Sequence, residues 1–297
     1  MPITPSPLRY PGGKTSLFGI TEQILQANQL SRSTYAEPFA GGGGLALSLL
    51  YEGVVRRIVL NDIDSGIYSF WDGVLNHTEA FISLIEHTPV TMEEWHRERQ
   101  IYLNAGPTIS LELGFATFFL NRTNRSGVIK GGVIGGQAQD GAYLLDCRFP
   151  KEALVDKIRR IARYRSSITI ENADGEDFLK GMSGRADRLM HFIDPPYYRK
   201  AFDLYTNFYT PEDHKSLALT IAQLEQPWLL TYDFTPEIRE LYPEFAQYAF
   251  DINYSVAKKR VGTELLITSD GVDVSAIERI RPLESVDRAA HYQRLQS

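Results

Sequence analysis

The chain has 297 residues, of which 43% are hydrophobic and 23% are charged, and its formal net charge is −6. This length and composition are those of a globular protein with a full hydrophobic core. No run approaches the roughly 18 uninterrupted apolar residues of a membrane span, and the first residues lack the layout of a secretory signal. The single cysteine, Cys147, excludes an internal disulfide, and no cysteine and histidine cluster has metal-ligand spacing. We therefore expect a cytoplasmic protein without a membrane segment or a metal ion.

The elements predicted first in the chain begin an α/β sheet. Apolar residues at helical spacing predict a helix over 15–28. A short strand over 35–37, a helix over 45–51 and a strand over 56–60 follow it. This order of strand, turn, helix and strand is the first unit of a doubly wound sheet.

Residues 66–165 interrupt that pattern. Apolar periodicity predicts successive helices without strands between them, over 66–75, 79–87, 92–103 and 110–120. The glycine-rich residues 126–136 predict an exposed hairpin or mobile loop, and 150–165 predict a basic helix. We therefore expect a mostly helical insert that carries a glycine-rich hairpin.

Strands and helices alternate again after the insert. The predicted strands span 167–171, 188–193, 228–232, 247–252 and 264–268, and the predicted helices span 177–181 and 211–224. The complete pattern predicts an α/β fold in which residues 1–65 and 166–297 form one domain and 66–165 form the insert.

A glycine motif lies between the first predicted strand and the next helix. Gly41, Gly43 and Ala46 match G-x-G-x-x-[GA], and Asp62 ends the following strand about 20 residues later. Glycines let the backbone approach a nucleoside ligand, and the carboxylate can accept hydrogen bonds from ribose hydroxyls. The motif alone leaves three interpretations open. It could bind a nucleoside cofactor of another kind than a dinucleotide, it could belong to a dinucleotide-dependent dehydrogenase, or it could be only a tight glycine turn.

Residues 13–15 read Gly-Lys-Thr, which suggests a phosphate-binding loop. The full pattern needs a glycine five positions before Gly13, where the chain has Leu8, and no strand precedes it. A nucleoside triphosphatase is therefore disfavoured. We interpret the segment as an entry loop that brings Lys14 near a ligand carboxylate, with an exposed lysine as the alternative.

The tetrapeptide Asp194-Pro195-Pro196-Tyr197 follows a predicted central strand, at the edge where open α/β sheets bind ligands. Prolines hold the backbone rigid and donate no hydrogen bond, which suits acceptor chemistry. The Asp194 carboxylate and the Pro195 carbonyl could accept both N–H groups of an aromatic amine and favour a pyramidal nitrogen. Tyr197 could stack on the base, and an ordinary turn is the alternative.

A basic segment lies at the end of the insert of this acidic protein. Residues 121–165 contain ten basic and four acidic side chains, a local net charge of +6. Such a run is typical of a solvated helix face as well as of a phosphate-binding surface.

Five motifs, taken in this order, resemble the Dam-type (D12 class) DNA adenine N6-methyltransferases. They are YPGGK at 10–14, EPFAGGGG at 37–44, NDID at 61–64, DF at 177–178 and DPPY at 194–197. The resemblance extends from residue 7 to about residue 200. It implies a Rossmann-like fold, S-adenosylmethionine as the cofactor, and catalysis by the tetrapeptide at 194–197. The implied cofactor contacts are Tyr10, Lys14, Glu37, Phe39, Gly41, Gly43, Asp62, Asp177, Phe178 and Asp194.

The resemblance also implies that the insert recognises double-stranded DNA through residues 119–127. The adenine must then leave the duplex, because its N6 atom is paired and stacked there. The predicted DNA contacts are Asn121, Arg122, Asn124, Arg125, Ser126, Lys130, Lys258 and Lys259. Asp233 is a further candidate for the pocket.

Other classes of protein were weighed against this interpretation. A cytosine-C5 methyltransferase is excluded because Cys147 has no neighbouring proline. A cytosine-N4 or RNA adenine methyltransferase stays open, as does a DNA-binding module with an inactive core. Asp194 favours adenine only through the resemblance, and we expect a monomer.

Overall fold

The computed structural model describes residues 4–10, 14–184, 188–198, 209–254 and 260–284. Its strands form one eight-stranded sheet in the order β3-β2-β1-β4-β5-β7-β6-β8. The strands are β1 (Thr34–Glu37), β2 (Arg57–Asn61), β3 (Ile168–Glu171), β4 (Leu189–Ile193), β5 (Trp228–Asp233), β6 (Ala246–Tyr254), β7 (Arg260–Thr268) and β8 (Ile280–Pro282). The first five strands run parallel, whereas β7 pairs antiparallel with both β5 and β6. The predicted α/β fold is confirmed.

The described helices divide into those around the sheet and those between β2 and β3. They are α1 (Phe18–Ala27), α2 (Gly44–Tyr51), α3 (Ser65–Asn76), α4 (Thr78–His87), α5 (Met92–Asn104), α6 (Leu111–Thr123), α7 (Lys151–Arg163), α8 (Gly175–Met182), α9 (Pro211–Ala222) and α10 (Pro236–Leu241). Asp64 begins α3 by accepting hydrogen bonds from the backbone of its first turn. None of the described helices is both long and apolar enough to cross a membrane.

Side chains of the strands alternate between two apolar cores. On β4, Met190 and Phe192 join the core on one face, whereas Leu189 and Ile193 join smaller cores on the other. Helices α1 and α2 and the insert pack on the first face, and α8, α9 and α10 pack on the second. The sheet is therefore doubly wound, with helices on both faces.

The segment between β2 and β3 is helical, with α3 to α7 and no strand. Its aromatic rings pack against each other, and the centroids of Phe81 and Phe118 are 5.5 Å apart. The same continuous core extends from these rings to Ile58 and Met190 in the sheet. The insert thus shares its core with the sheet, and the proposed domain boundaries stay a prediction.

The glycine-rich segment differs from the predicted hairpin. One isolated bridge joins Asn124 to Val133, and no ladder of pairs continues from it. Gly127, Gly135 and Gly136 have φ angles of +80°, +85° and +75°. These left-handed conformations break the extended backbone that a strand requires.

The sequence does not predict two short elements, because each has too few residues to show a periodic pattern. Helix α10 has six residues and begins at Pro236, after the capping residue Thr235. Strand β8 has three residues and ends at Pro282 on the edge of the sheet. Strand β7 also begins four residues before the predicted start, since 260–263 include a glycine and do not look like a strand.

The strand order reverses between β1 and β4. On one side of this pair the sheet continues from β1 to β2 and β3, and on the other it continues from β4 to β5. Open α/β sheets bind ligands beyond the carboxyl ends of the strands at such a switch point. Glu37 ends β1 and Asp194 follows β4 at this position.

Candidate active site

The turn after β1 consists largely of glycines and lies at this edge of the sheet. Gly41 and Gly43 have φ angles of +47° and +55°, which only glycine adopts at little cost. The indole Nε1 of Trp71 donates a hydrogen bond to the Gly41 carbonyl at 3.0 Å. Helix α2 begins directly after the turn, at Gly44. Gly41, Gly42 and Gly43 are buried, and the Gly41 peptide groups bond to Trp71 and Asp62, so the shape of the turn is fixed from within the protein.

Tyr10 lies over this turn. A Cβ atom added to Gly41 would lie 2.5 Å from the Tyr10 ring, so glycine is needed for the ring to approach. The Tyr10 side chain is 37% exposed, which leaves part of the ring open to solvent. This placement fits an aromatic wall beside a nucleoside pocket.

Asp62 faces the same turn from the end of β2. Its carboxylate accepts hydrogen bonds from the Gly41 amide at 2.9 Å and from the Asp64 amide at 3.0 Å. Burial raises the pKa of Asp62 to about 7, and the charge of Asp64 contributes in the same direction. The predicted ribose acceptor and the predicted glycine turn are thus in direct contact.

Asn61 joins three loops beneath the pocket. Its Nδ2 donates to the carbonyls of Pro38 and Ala173, at 2.9 and 3.0 Å. Its Oδ1 accepts a hydrogen bond from the Ala173 amide, and its backbone carbonyl accepts one from Ala40. The ends of β1, β2 and β3 are therefore held together by one buried amide.

A charged cluster surrounds Asp194. The Asp194 carboxylate accepts a hydrogen bond from Thr231 Oγ1 at 2.7 Å and lies 3.1 Å from Lys14 Nζ. Its side chain is 24% exposed, whereas that of Lys14 is 5% exposed. Asp194 is accordingly the member of this pair that a substrate can reach.

Glu264 on β7 is the second anion beside Lys14. Its Oε2 atom lies 3.4 Å from Lys14 Nζ, and its side chain is fully buried. The Tyr197 hydroxyl donates to Glu264, and Lys14 donates to that hydroxyl at 2.5 Å. Sequence reasoning missed Glu264, although a carboxylate that opens an otherwise apolar strand was an available signal.

Charge and burial oppose each other in this cluster. Burial raises the pKa of Asp194, and this effect outweighs the opposing charge of Lys14. Burial alone would lower the pKa of Lys14, but Asp194 and Glu264 outweigh it and raise that pKa. Lys14 therefore stays cationic between the two carboxyl groups.

Other carboxyl groups line the strand ends. Burial raises the pKa of Glu37 to about 8, and Asp194 contributes to the shift. Asp233 lies opposite Glu264 in the pairing of β5 with β7 and accepts a hydrogen bond from the Tyr198 amide at 2.9 Å. Pro195 is buried and Pro196 is half-buried between Asp194 and Tyr197.

The remaining predicted cofactor residues lie on α8 or pack against it. The ring of Phe39 packs against Gly175, since a Cβ atom there would lie 2.4 Å from it. Asp177 is exposed, whereas Phe178 is 1% exposed in the core with Ala36. The structure thus places Phe39 against the start of α8 and Phe178 in the apolar core.

Three predicted DNA contacts are used internally. Asn121 is fully buried and bonds to both the amide and the carbonyl of Arg9. Arg122 donates to the carbonyls of Arg148 and Pro7, and Asn124 accepts from the indole of Trp95. Because their polar groups have partners inside the protein, these side chains are not presented to DNA in this structure.

The other predicted DNA contacts fall into two groups. Arg125 and Lys130 are exposed, and Ser126 is half-buried with a φ of +57°. Lys258 and Lys259 lie outside the described residues, as do residues 11–13 of the YPGGK motif. Within the described parts of the chain, no three His, Cys, Asp or Glu side chains are grouped to hold a metal ion.

Comparisons with solved structures return distant matches. One is described as a "putative RNA methyltransferase PH1948 from Pyrococcus horikoshii", with 9% identity, a TM-score of 0.39, and coverage of 84% of this chain and 81% of that chain. Another is TrmN from Thermus thermophilus, with 10% identity, a TM-score of 0.38, and coverage of 91% and 52% respectively. The curated protein sequences contain no match.

A family model matches most of the chain. The model of the D12 class N6 adenine-specific DNA methyltransferases matches residues 10–256, which include all five motifs. The cofactor of this family is S-adenosylmethionine. The chain therefore belongs to the family of D12 class N6 adenine-specific DNA methyltransferases.

Proposed function

We propose that the Asp194 carboxylate and the Pro195 carbonyl accept the two N–H groups of an adenine amino group taken out of duplex DNA. The observation that carries this proposal is the position of Asp194. It follows the central strand β4 at the switch point, keeps 24% exposure, and has its far side held by Thr231 and Lys14. A carboxylate held in this way presents its open side to a substrate.

The chemistry requires acceptors because the amino nitrogen is a poor nucleophile. Its lone pair is delocalised into the purine ring, and two acceptors out of the ring plane favour a pyramidal nitrogen. S-adenosylmethionine supplies the methyl group, carried on a sulfonium. The nitrogen releases one proton when it gains the methyl group, and the raised pKa of Asp194 suits a group that receives this proton.

The residues around the glycine turn fit the adenosine part of that cofactor. The absence of a side chain at Gly41 lets the Tyr10 ring pack on the turn, since any Cβ atom there would collide with the ring. Asp62 lies at the end of the next strand and can accept hydrogen bonds from ribose hydroxyls. We assign Tyr10, Gly41 and Asp62 to cofactor binding. Lys14 is buried in ion pairs with Asp194 and Glu264, so we do not assign it to a ligand carboxylate.

The insert, residues 66–165, is the proposed DNA-recognition unit. Among the predicted contacts in the described residues, Arg125 and Lys130 are the exposed cations on the turn after α6. They are placed to contact phosphates, whereas Asn121 and Arg122 support the turn from inside. A monomer in the cytoplasm remains our prediction for the state in which the enzyme acts.

Charge removal on this turn tests the DNA assignment. Each of Arg125→Ala and Lys130→Ala is expected to lower the slope of log affinity against log salt by about 0.9 for duplex DNA. Fluorescence anisotropy at several salt concentrations measures this slope. Arg57→Ala is the matched control, because Arg57 is exposed at the amino end of β2, away from the switch point. Equal slopes for the Arg125 and Arg57 variants would contradict the assignment.

A further inference from the structure

The segment Thr4–Tyr10, which we call the N-terminal segment, lies along the glycine turn. A Cβ atom added to Gly42 would lie 3.3 Å from Ser6 Oγ, and one added to Gly44 would lie 3.0 Å from Thr4 Oγ1. Tyr10 covers Gly41 in the same way. The side chains of Thr4, Ser6 and Tyr10 therefore lie against Gly44, Gly42 and Gly41 of the turn.

The insert holds the main chain of the same segment. Lys157 Nζ on α7 donates to the carbonyls of Thr4 and Ser6, at 2.8 and 3.1 Å. Arg122 on α6 donates to the Pro7 carbonyl at 3.3 Å. Two cations of the insert thus bind the main-chain carbonyl groups of Thr4, Ser6 and Pro7.

Asn121 fixes the end of the segment that leads to Tyr10. Its Oδ1 accepts from the Arg9 amide at 2.7 Å, and its Nδ2 donates to the Arg9 carbonyl at 2.8 Å. This pair of bonds resembles one step of strand pairing, with a side-chain amide in place of a backbone. Since Arg9 precedes Tyr10 in the chain, these two bonds fix the position of the main chain that carries the Tyr10 ring.

The contacts of Lys157 distinguish it from an exposed phosphate ligand. Burial lowers its pKa, and the nearby charge of Arg122 lowers it further. Burial also lowers the pKa of Arg122 to about 9, so Arg122 still carries a charge at neutral pH. Their charge is directed at carbonyl oxygens within the protein.

We propose that Lys157 and Asn121 are positioning residues for S-adenosylmethionine binding, because they hold the N-terminal segment and Tyr10 against the glycine turn. This inference rests on the proposed assignment of Tyr10 and Gly41 to the cofactor pocket. Through these two residues, the insert contributes to the affinity for the cofactor. The N-terminal segment therefore connects the helical insert with the cofactor pocket.

A matched pair of lysine substitutions on α7 tests the proposal. Lys151 on the same helix also donates to two carbonyls, but these belong to Glu86 and Thr88 at the end of α4. Lys157→Met and Lys151→Met therefore each remove one cation and two hydrogen bonds. Titration calorimetry with S-adenosylmethionine is expected to show about tenfold weaker binding for Lys157→Met and less than about twofold change for Lys151→Met.

Kinetics and a conservative variant exclude a general structural effect. We expect Lys157→Met to raise the KM for S-adenosylmethionine while kcat at saturating cofactor stays unchanged, and Lys157→Arg to recover most of the affinity. Both methionine variants are expected to change duplex DNA affinity equally, since they lose the same charge. Asn121→Leu is expected to weaken cofactor binding at least as much, after circular dichroism has confirmed its fold.

Two results would overturn the inference. Equal cofactor affinity in the Lys157→Met and Lys151→Met variants would remove it while leaving the proposed function intact. Failure of the unaltered protein to bind S-adenosylmethionine would remove the proposed function, and the inference with it. If Asn121→Leu does not fold, the two lysine variants decide the outcome.

Discussion

Replacement of Asp194 by alanine is expected to abolish methyl transfer while the protein stays folded and still binds duplex DNA. The carboxylate is the exposed end of a buried cluster and can accept from the adenine amino group, which alanine cannot do. Loss of one such group at a reacting centre lowers kcat by about 10²–10³. Transfer of a labelled methyl group to DNA at saturating cofactor measures the effect.

Controls separate this loss from a loss of structure. Lys14 keeps Glu264 as a partner in the Asp194→Ala variant, so no uncompensated buried cation is created. Asp270→Ala is a matched substitution at an exposed position just after β7, and its activity should equal that of the unaltered protein. Residual transfer above about a tenth of the original rate by Asp194→Ala would show that another group accepts the amine.

Replacement of Glu264 by alanine is expected to reduce the free energy of unfolding by about 3 kcal/mol, because it removes a buried side chain and the buried acceptor of the Tyr197 hydroxyl. The side chain is fully buried, interacts with Lys14 and accepts from the Tyr197 hydroxyl. Its removal leaves a cavity and leaves the buried Lys14 with Asp194 as its described anionic partner. Urea unfolding followed by circular dichroism measures the change.

Glutamine at position 264 provides a graded comparison. Glu264→Gln keeps the volume and an acceptor for Tyr197 but removes the charge, so it should lose less stability than the alanine variant. Glu278→Ala, at an exposed position, controls for loss of a carboxylate and should change the free energy by less than about 0.5 kcal/mol. An alanine variant as stable as this control would show that Glu264 contributes nothing to the fold.

The sequence predicted the architecture where its elements are long or contain periodic apolar residues. The parallel strands and the helical insert follow from alternation and from apolar runs such as 189–193, whereas the order of the strands in the sheet does not. The short α10 and β8 and the start of β7 could not be predicted, because their packing rather than their pattern determines them. The hairpin prediction overlooked the left-handed glycines at 135 and 136.

For the candidate site, motif residues at strand ends were easier to predict than their partners. Asp62 and Asp194 follow strands, and the structure brings both to the same edge of the sheet. Glu264 comes from an antiparallel strand far along the chain, so its contact with Lys14 depends on tertiary structure. The environment of a basic side chain was equally unpredictable, since Lys157 and Arg125 belong to the same basic segment, yet Lys157 bonds to main-chain carbonyls whereas Arg125 is exposed.

Methylation of duplex DNA by the purified protein tests the central claim most directly. The protein is incubated with S-adenosylmethionine labelled in its methyl group and with duplex DNA of mixed sequence, and the DNA is then digested to nucleosides. The account predicts label in N6-methyladenine from the unaltered protein and none from Asp194→Ala. Label in cytosine, or no label in any nucleoside of such DNA, would contradict the assignment of Asp194 to the adenine amino group.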